Sequence, residues 1–139
     1  MSSTLTSLVN HQVRLASRPV GMATDHNWRF TDEPVNEPGD GGVLVKTLAL
    51  SLDPAMRGWM NDGKSYIAPV GIGEVMRAGG IGQVIASKSA DFAVGDTVSG
   101  LLGAQEYWSS PAGKPAGRAL EKIDLRLGTA TQWLNVLGM

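Results

Sequence analysis

Glycine and proline interrupt this chain so often that long regular elements are excluded before any motif is read. Eighteen glycines and seven prolines are spread over 139 residues. Inside a helix each glycine costs about 1 kcal/mol and each proline about 3 kcal/mol relative to alanine. A helical bundle would not carry that load, whereas short strands joined by turns would. The apolar runs agree. Val43–Leu50 (VLVKTLAL) is almost continuously apolar and reads as a buried strand, and Ile81–Ser87 and Thr97–Leu102 read as two more. Gln12–Ala16 alternates polar and apolar residues as a first strand would, while Gln105–Trp108 and Arg118–Ile123 are weaker strand candidates. Phe30–Gly42, with Pro34, Pro38 and the run Gly39-Asp40-Gly41-Gly42, reads as turn-rich. Only Thr129–Leu137 has a convincing helical pattern. Short strands at close spacing with little helix between them predict a mainly β, antiparallel barrel or sandwich.

The length suits one domain with its own core. Hydrophobic content of 42% and charged content of 18% are those of a globular chain. Twelve basic against thirteen acidic residues, with no basic run, argue against nucleic acid as a partner. The absence of cysteine removes disulfides, thiolate nucleophiles and the commonest zinc ligands together. No signal peptide pattern opens the chain, and no apolar run approaches the roughly 20 residues of a membrane span, so a cytoplasmic protein is expected.

Several motifs have a plain structural reading. Gly71-Ile72-Gly73 and Gly80-Ile81-Gly82 begin like dinucleotide fingerprints, but Met76 and Ile85 stand where the third glycine belongs, and no strand–turn–helix surrounds them. They read as turn and barrel-corner glycines. His11 and His26 lack metal-ligand spacing, and no G-x-S-x-G elbow supports hydrolysis. Phe92-Ala93-Val94-Gly95-Asp96-Thr97-Val98 reads as a turn feeding a strand, with positive φ at Gly95 and Asp96 bonding its own backbone.

Leu50–Met76 (LSLDPAMRGWMNDGKSYIAPVGIGEVM) carries more chemistry. Asp53-Pro54 is a helix-start signal, with Asp53 expected to cap the free N–H groups and Ala55-Met56-Arg57 to form one turn before Gly58. Core packing is the plainer reading of each of Met56, Trp59, Tyr66 and Met76, but their gathering around turns and not on regular strands also suits the wall of a cleft for an organic molecule.

Arg18-Pro19-x-Gly21, Leu50-Ser51-Leu52-Asp53-Pro54-x-Met56-Arg57-Gly58, Ser65-Tyr66, Ile72-Gly73-Glu74-Val75-Met76, Phe92-x-x-Gly95-Asp96-x-Val98 and the closing Leu137-Gly138-Met139 together resemble one family. It is the N-terminal GroES-like domain of the zinc-independent, NADP-dependent medium-chain dehydrogenase/reductase family, the group of leukotriene B4 12-hydroxydehydrogenase and the prostaglandin, curcumin and alkenal reductases. The resemblance runs from about Asn10 to Met139. It implies a partly open GroES-like β-barrel with a few short helices, over residues 1–128, and a C-terminal connector helix at 129–139 leading to a Rossmann domain that this chain lacks.

In such enzymes NADPH reduces the C=C bond of α,β-unsaturated ketones or aldehydes, or a related quinone or carbonyl substrate. The cofactor is bound mainly by that second domain, without zinc. The resemblance therefore implies an oxidoreductase fragment that is inactive alone, with no catalytic residue in this chain. Ala55, Met56, Tyr66, Met76 and Gln105 fall in the substrate pocket, and Pro54 and Met56 make edge contacts to the cofactor. The partner is a small enone or enal, not nucleic acid or membrane; the parent enzyme is expected to be a homodimer and the isolated domain a monomer.

Three positions depart from the family pattern. Ala55 stands for a usual Tyr, Trp59 for Arg and Ala104 for Trp, which puts substrate identity in question and leaves the fold untouched. The competing expectation is a stand-alone GroES-like binding module without catalysis, since Gly41-Gly42-Val43-Leu44-Val45 superficially resembles a co-chaperonin mobile loop.

Overall fold

A computed structural model describes residues 7–63, 67–110 and 120–134. Its strands are β1 (Val9–Leu15), β2 (Trp28–Pro34), β3 (Val43–Leu50), β4 (Gly80–Ser87), β5 (Thr97–Gly100), β6 (Tyr107–Ser109) and β7 (Leu120–Lys122). Two five-residue helices, α1 (Ala55–Trp59) and α2 (Ala130–Leu134), and a single 3-10 turn at Asp25–Asn27 complete the described elements. The fold is mainly β, as expected.

A five-stranded antiparallel sheet runs in the order β6-β3-β4-β5-β7, and β1 pairs with β2 separately. The two sheets are stitched together without a closed barrel. Val13 N–H donates to Ala104 C=O at 2.9 Å and Met76 N–H to Val13 C=O at 2.9 Å. Glu106 N–H then reaches His11 C=O at 3.1 Å, and Thr47 N–H reaches Glu106 C=O at 2.8 Å. Residues 104–106 thus lie between β1 and β3 and join them into one layer.

Burial follows the apolar runs. Val43 and Val45 of β3 meet Val84, Phe92, Val98, Leu102 and Leu120 in the main core, which removes apolar surface from water at roughly 25 cal/mol per Å². A second cluster of Leu15, Met60, Val70 and Met76 lies under α1. Gly82 is needed where β3 and β4 cross most closely. A Cβ there would strike Val45 Cγ1 and come within 2.6 Å of Lys46 C=O.

The Phe92–Val98 turn forms as the sequence predicts. Gly95 has φ +100°, and the Asp96 carboxylate accepts the Ala93 N–H at 2.9 Å. That bond, ahead of the nearby Lys122 ammonium, holds the Asp96 carboxyl below its usual range.

Trp28–Pro34 corrects the turn-rich reading of Phe30–Gly42, since it is a seven-residue strand in register with β1 from Leu15↔Trp28 to Val9↔Pro34. Pro34 ends an edge strand, where the missing N–H costs no ladder bond. The first strand begins at Val9, not Gln12. Arg118 and residues 135–139, part of the expected last strand and helix, lie outside the described residues, as do Ser65 and Tyr66.

Among the described residues no helix is long and apolar enough to cross a membrane, and no group of three or more His, Asp or Glu could hold a metal ion.

Candidate functional site

β3 runs out at Leu50, and Ser51 N–H still reaches Gly79 C=O at 2.8 Å before the chain turns into α1. The turn is built differently from the expected cap. Pro54 occupies the N-cap position, and no side chain caps the helix. The Asp53 carboxylate accepts the Ser51 hydroxyl instead, at 3.1 and 3.0 Å to its two oxygens. A hydroxyl two residues upstream competes successfully for the carboxylate because the helix starts one residue late. Asp53 contributes through its backbone: its C=O accepts Met56 N–H at 3.0 Å, and its own N–H donates to Met56 Sδ at 3.3 Å. The thioether is folded back over the turn and held there.

Two arginines lock this turn to the rest of the domain. Arg57 Nε and Nη2 donate to Gly21 C=O at 3.0 and 2.7 Å, Nη2 also reaches Pro19 C=O at 3.2 Å, and Nη1 reaches Asn61 Oδ1 at 2.7 Å. Arg18 Nη1 donates to Met60 C=O at 2.9 Å and Val70 C=O at 3.0 Å. The Arg18-Pro19-x-Gly21 and Asp53-Pro54-x-Met56-Arg57-Gly58 runs are therefore two halves of one joint. Gly21 supplies the bend at φ +75°. Beside the joint, the Arg77 guanidinium lies 5.3 Å from the Trp59 ring centroid.

The expected pocket residues do not all share one surface. Pro54 and Ala55 are exposed on the outside of the turn, and Met56 is half-buried against the cluster beneath α1. Met76 belongs to that cluster and is 2% exposed. Gln105 lies farther along, on the cleft described below, where its Oε1 accepts Asn10 Nδ2 at 3.0 Å and Gln12 Nε2 at 3.1 Å and its Nε2 donates to Leu102 C=O at 2.8 Å. Tyr66 lies outside the described residues.

A cleft of about 410 Å³ opens over the layer of β1, residues 104–106 and β3. It is lined by His11 and Val13 from β1, Ala104, Gln105 and Glu106 from the middle segment, and Thr47–Leu50 from β3, so of the expected pocket residues Gln105 borders it. Ala104 also packs against the cluster that holds Met76, so the cleft and the α1 joint adjoin through it. At the rim, His11 Nδ1 is 2.5 Å from Asp32 Oδ1, and Nε2 is 3.9 Å from Glu106 Oε2. The hydrogen bond to Asp32, with the charges of Asp32 and Glu106, raises the His11 pKa above its usual 6.5. His11, Thr47 and Glu106 carry no motif. Only strand alternation, read jointly on Asn10–Val13 and Ala104–Tyr107, could have placed them on one face.

The described residues do not fit a whole dinucleotide. Every paired strand is antiparallel, and neither helix exceeds five residues. No strand, glycine loop and helix come together to cradle a pyrophosphate.

Comparison with known proteins places this architecture. Residues 11–117 match the family described as the N-terminal domain of oxidoreductase. The NADPH-dependent curcumin reductase of Escherichia coli (strain K12) is 42% identical over 130 residues, covering 94% of this chain and 36% of that protein. YfmJ of Bacillus subtilis (strain 168) is 41% identical over 128 residues, covering 92% of this chain and 36% of that protein. The crystal structure of CurA from Vibrio vulnificus superimposes with a TM-score of 0.80 at 41% identity, over 94% of this chain and 37% of that one. CurA has also been solved in complex with NADPH. The chain thus spans little more than a third of the length of these relatives, and it belongs to the family of N-terminal domains of oxidoreductases.

Proposed function

We propose that this chain is the substrate-side domain of an NADPH-dependent oxidoreductase that reduces the C=C bond of α,β-unsaturated ketones or aldehydes. The observation that carries the reading is the Arg18–Arg57 joint, which fixes the Asp53–Met56 turn as a rigid edge on a domain matching CurA at a TM-score of 0.80. A rigid apolar edge positions a reactant, and positioning supplies much of the rate in hydride transfer. In this reading Pro54 and Met56 meet the edge of the nicotinamide, whose bound dinucleotide supplies the hydride. Ala55, Met56 and Tyr66 face the enone, Met76 supports them from the core, and Gln105 holds the neighbouring segment in register.

Residues 129–139 begin the connector to a cofactor domain, and the fragment alone does not turn over substrate. The parent enzyme is a cytoplasmic homodimer that uses no zinc. Curcumin reduction by the E. coli relative supports a small conjugated carbonyl as the substrate class.

The test is a chimera in which this chain replaces the matching N-terminal region of Vibrio vulnificus CurA. NADPH consumption with a panel of enones and enals is the expected result. A chimera that binds NADPH but reduces none of them would sink the reading.

A further inference from the structure

The cleft between β1 and β3 has a composition that the α1 joint does not explain. Its walls are apolar, with Val13, Leu48 and Leu50 around the methyl of Ala104. Leu48 is 52% exposed there, although it lies on a central strand of the larger sheet. The Thr47 hydroxyl, also on this wall, is buried with no hydrogen-bond partner among the described residues.

The rim has a definite sign. One histidine faces the two carboxylates of Asp32 and Glu106. With His11 charged the three groups sum to −1, and with His11 neutral to −2. The Glu106 carboxylate is paired only loosely, with His11 Nε2 at 3.9 Å, beyond hydrogen-bond distance. A hydrogen-bond donor is welcome at this rim, and an anion is repelled.

We propose that this cleft is a distal subsite of the substrate wall, taking the unreactive end of the substrate when that end is a flat apolar group tipped by a hydroxyl. The apolar floor takes the ring, and Glu106 accepts the hydroxyl. Ala104 sets the room available, because any larger side chain would fill the floor. The role of the subsite rests on the reductase reading, and Leu50 at its end lies three residues from Asp53. Its existence can be tested without turnover.

The probes are 2-naphthol and 2-naphthoate, titrated at neutral pH into the 139-residue chain and followed by the NMR shifts of His11, Leu48 and Ala104. Saturable 2-naphthol binding is expected, with 2-naphthoate about tenfold weaker or worse. Glu106→Gln should bring the two probes within about threefold of each other, since one of the rim's two negative charges is gone. Ala104→Phe should abolish binding. Leu48→Gln, at an exposed position that leaves folding intact, should weaken it about fivefold.

Equal affinity for both probes, no saturation, or undiminished binding to Leu48→Gln would overturn the subsite. A solution mass that doubles on dilution-sensitive self-association, with the same residues perturbed, would assign the face to a second copy and also overturn it. Failure here alongside an active chimera removes only the subsite; 2-naphthol binding alongside an inactive chimera removes only the reductase.

Discussion

Arg18 and Arg57 grip the same joint from opposite sides, and both donate almost entirely to backbone carbonyls. A carbonyl buried without its donor costs about 1–3 kcal/mol, more than the net gain from making the bond. Arg18→Ala removes the donor shared by Met60 and Val70, so it should destabilise the domain by about 2 kcal/mol. The urea midpoint should fall with an unchanged slope; an unchanged midpoint would mean the joint is held by packing alone. Lysine would not substitute at Arg57, because one ammonium cannot span Gly21, Pro19 and Asn61 as the planar fork does.

At His11 the effect concerns pH. Its pKa is raised chiefly by the hydrogen bond to Asp32. A raised histidine stabilises the fold fully below its unfolded value near 6.5, and that contribution is lost as the pH rises through the folded value. The NMR titration of His11 should therefore have its midpoint above 6.5. Asp32→Asn should bring it down towards 6.5 and remove the associated loss of stability on the alkaline side. A midpoint unmoved by that substitution would assign the shift to Glu106.

At the scale of elements, some strands were legible in the sequence and others were not, for identifiable reasons. β3 has the bounds its apolar run predicts, although only Val43–Val45 are fully buried and Lys46 and Leu48 of the same run are exposed. β2 was not legible: most of its residues are exposed, and its strand state comes from pairing with β1, a tertiary condition that local composition does not encode. Gly58, expected to end the turn after Arg57, lies inside α1, since the Arg57 fork and the bond from Val70 N–H to Trp59 C=O hold the helix through it.

The candidate site divides the same way. Met56 at the turn was readable from Asp53-Pro54, whereas the cleft joins residues from three segments far apart in sequence. Gly82 offers the sharpest test of the sheet. Its missing Cβ lets the Lys46 backbone approach, so Gly82→Ala should cost about 2–3 kcal/mol by forcing β3 from β4. Hydrogen exchange should accelerate across Val43–Leu50 before it does in β1. Near-native protection there would show that the strands can separate without penalty.

For the whole molecule, the division of labour between this domain and the remainder of an oxidoreductase becomes a binding experiment. Exposed leucines at 52 (83%) and 101 (55%) leave apolar surface at the β3 and β5 ends of the sheet, and Pro54 and Ala55 stand beside the first of them. That edge offers apolar contact to a ring but no N–H cradle or cationic pair for a pyrophosphate, which is where most dinucleotide affinity arises. Isothermal calorimetry of NADPH into the 139-residue chain should therefore show only heat of dilution. The CurA chimera should bind NADPH with the affinity of CurA itself. Met56→Ala in that chimera should change the enone KM by roughly fivefold, the value of a lost contact of about 1 kcal/mol, and NADPH affinity by less. The split between the two ligands is the informative quantity: a substitution that weakened NADPH and left the enone KM unchanged would place Met56 against the cofactor only, and micromolar NADPH binding by the isolated chain would move the cofactor site into this domain.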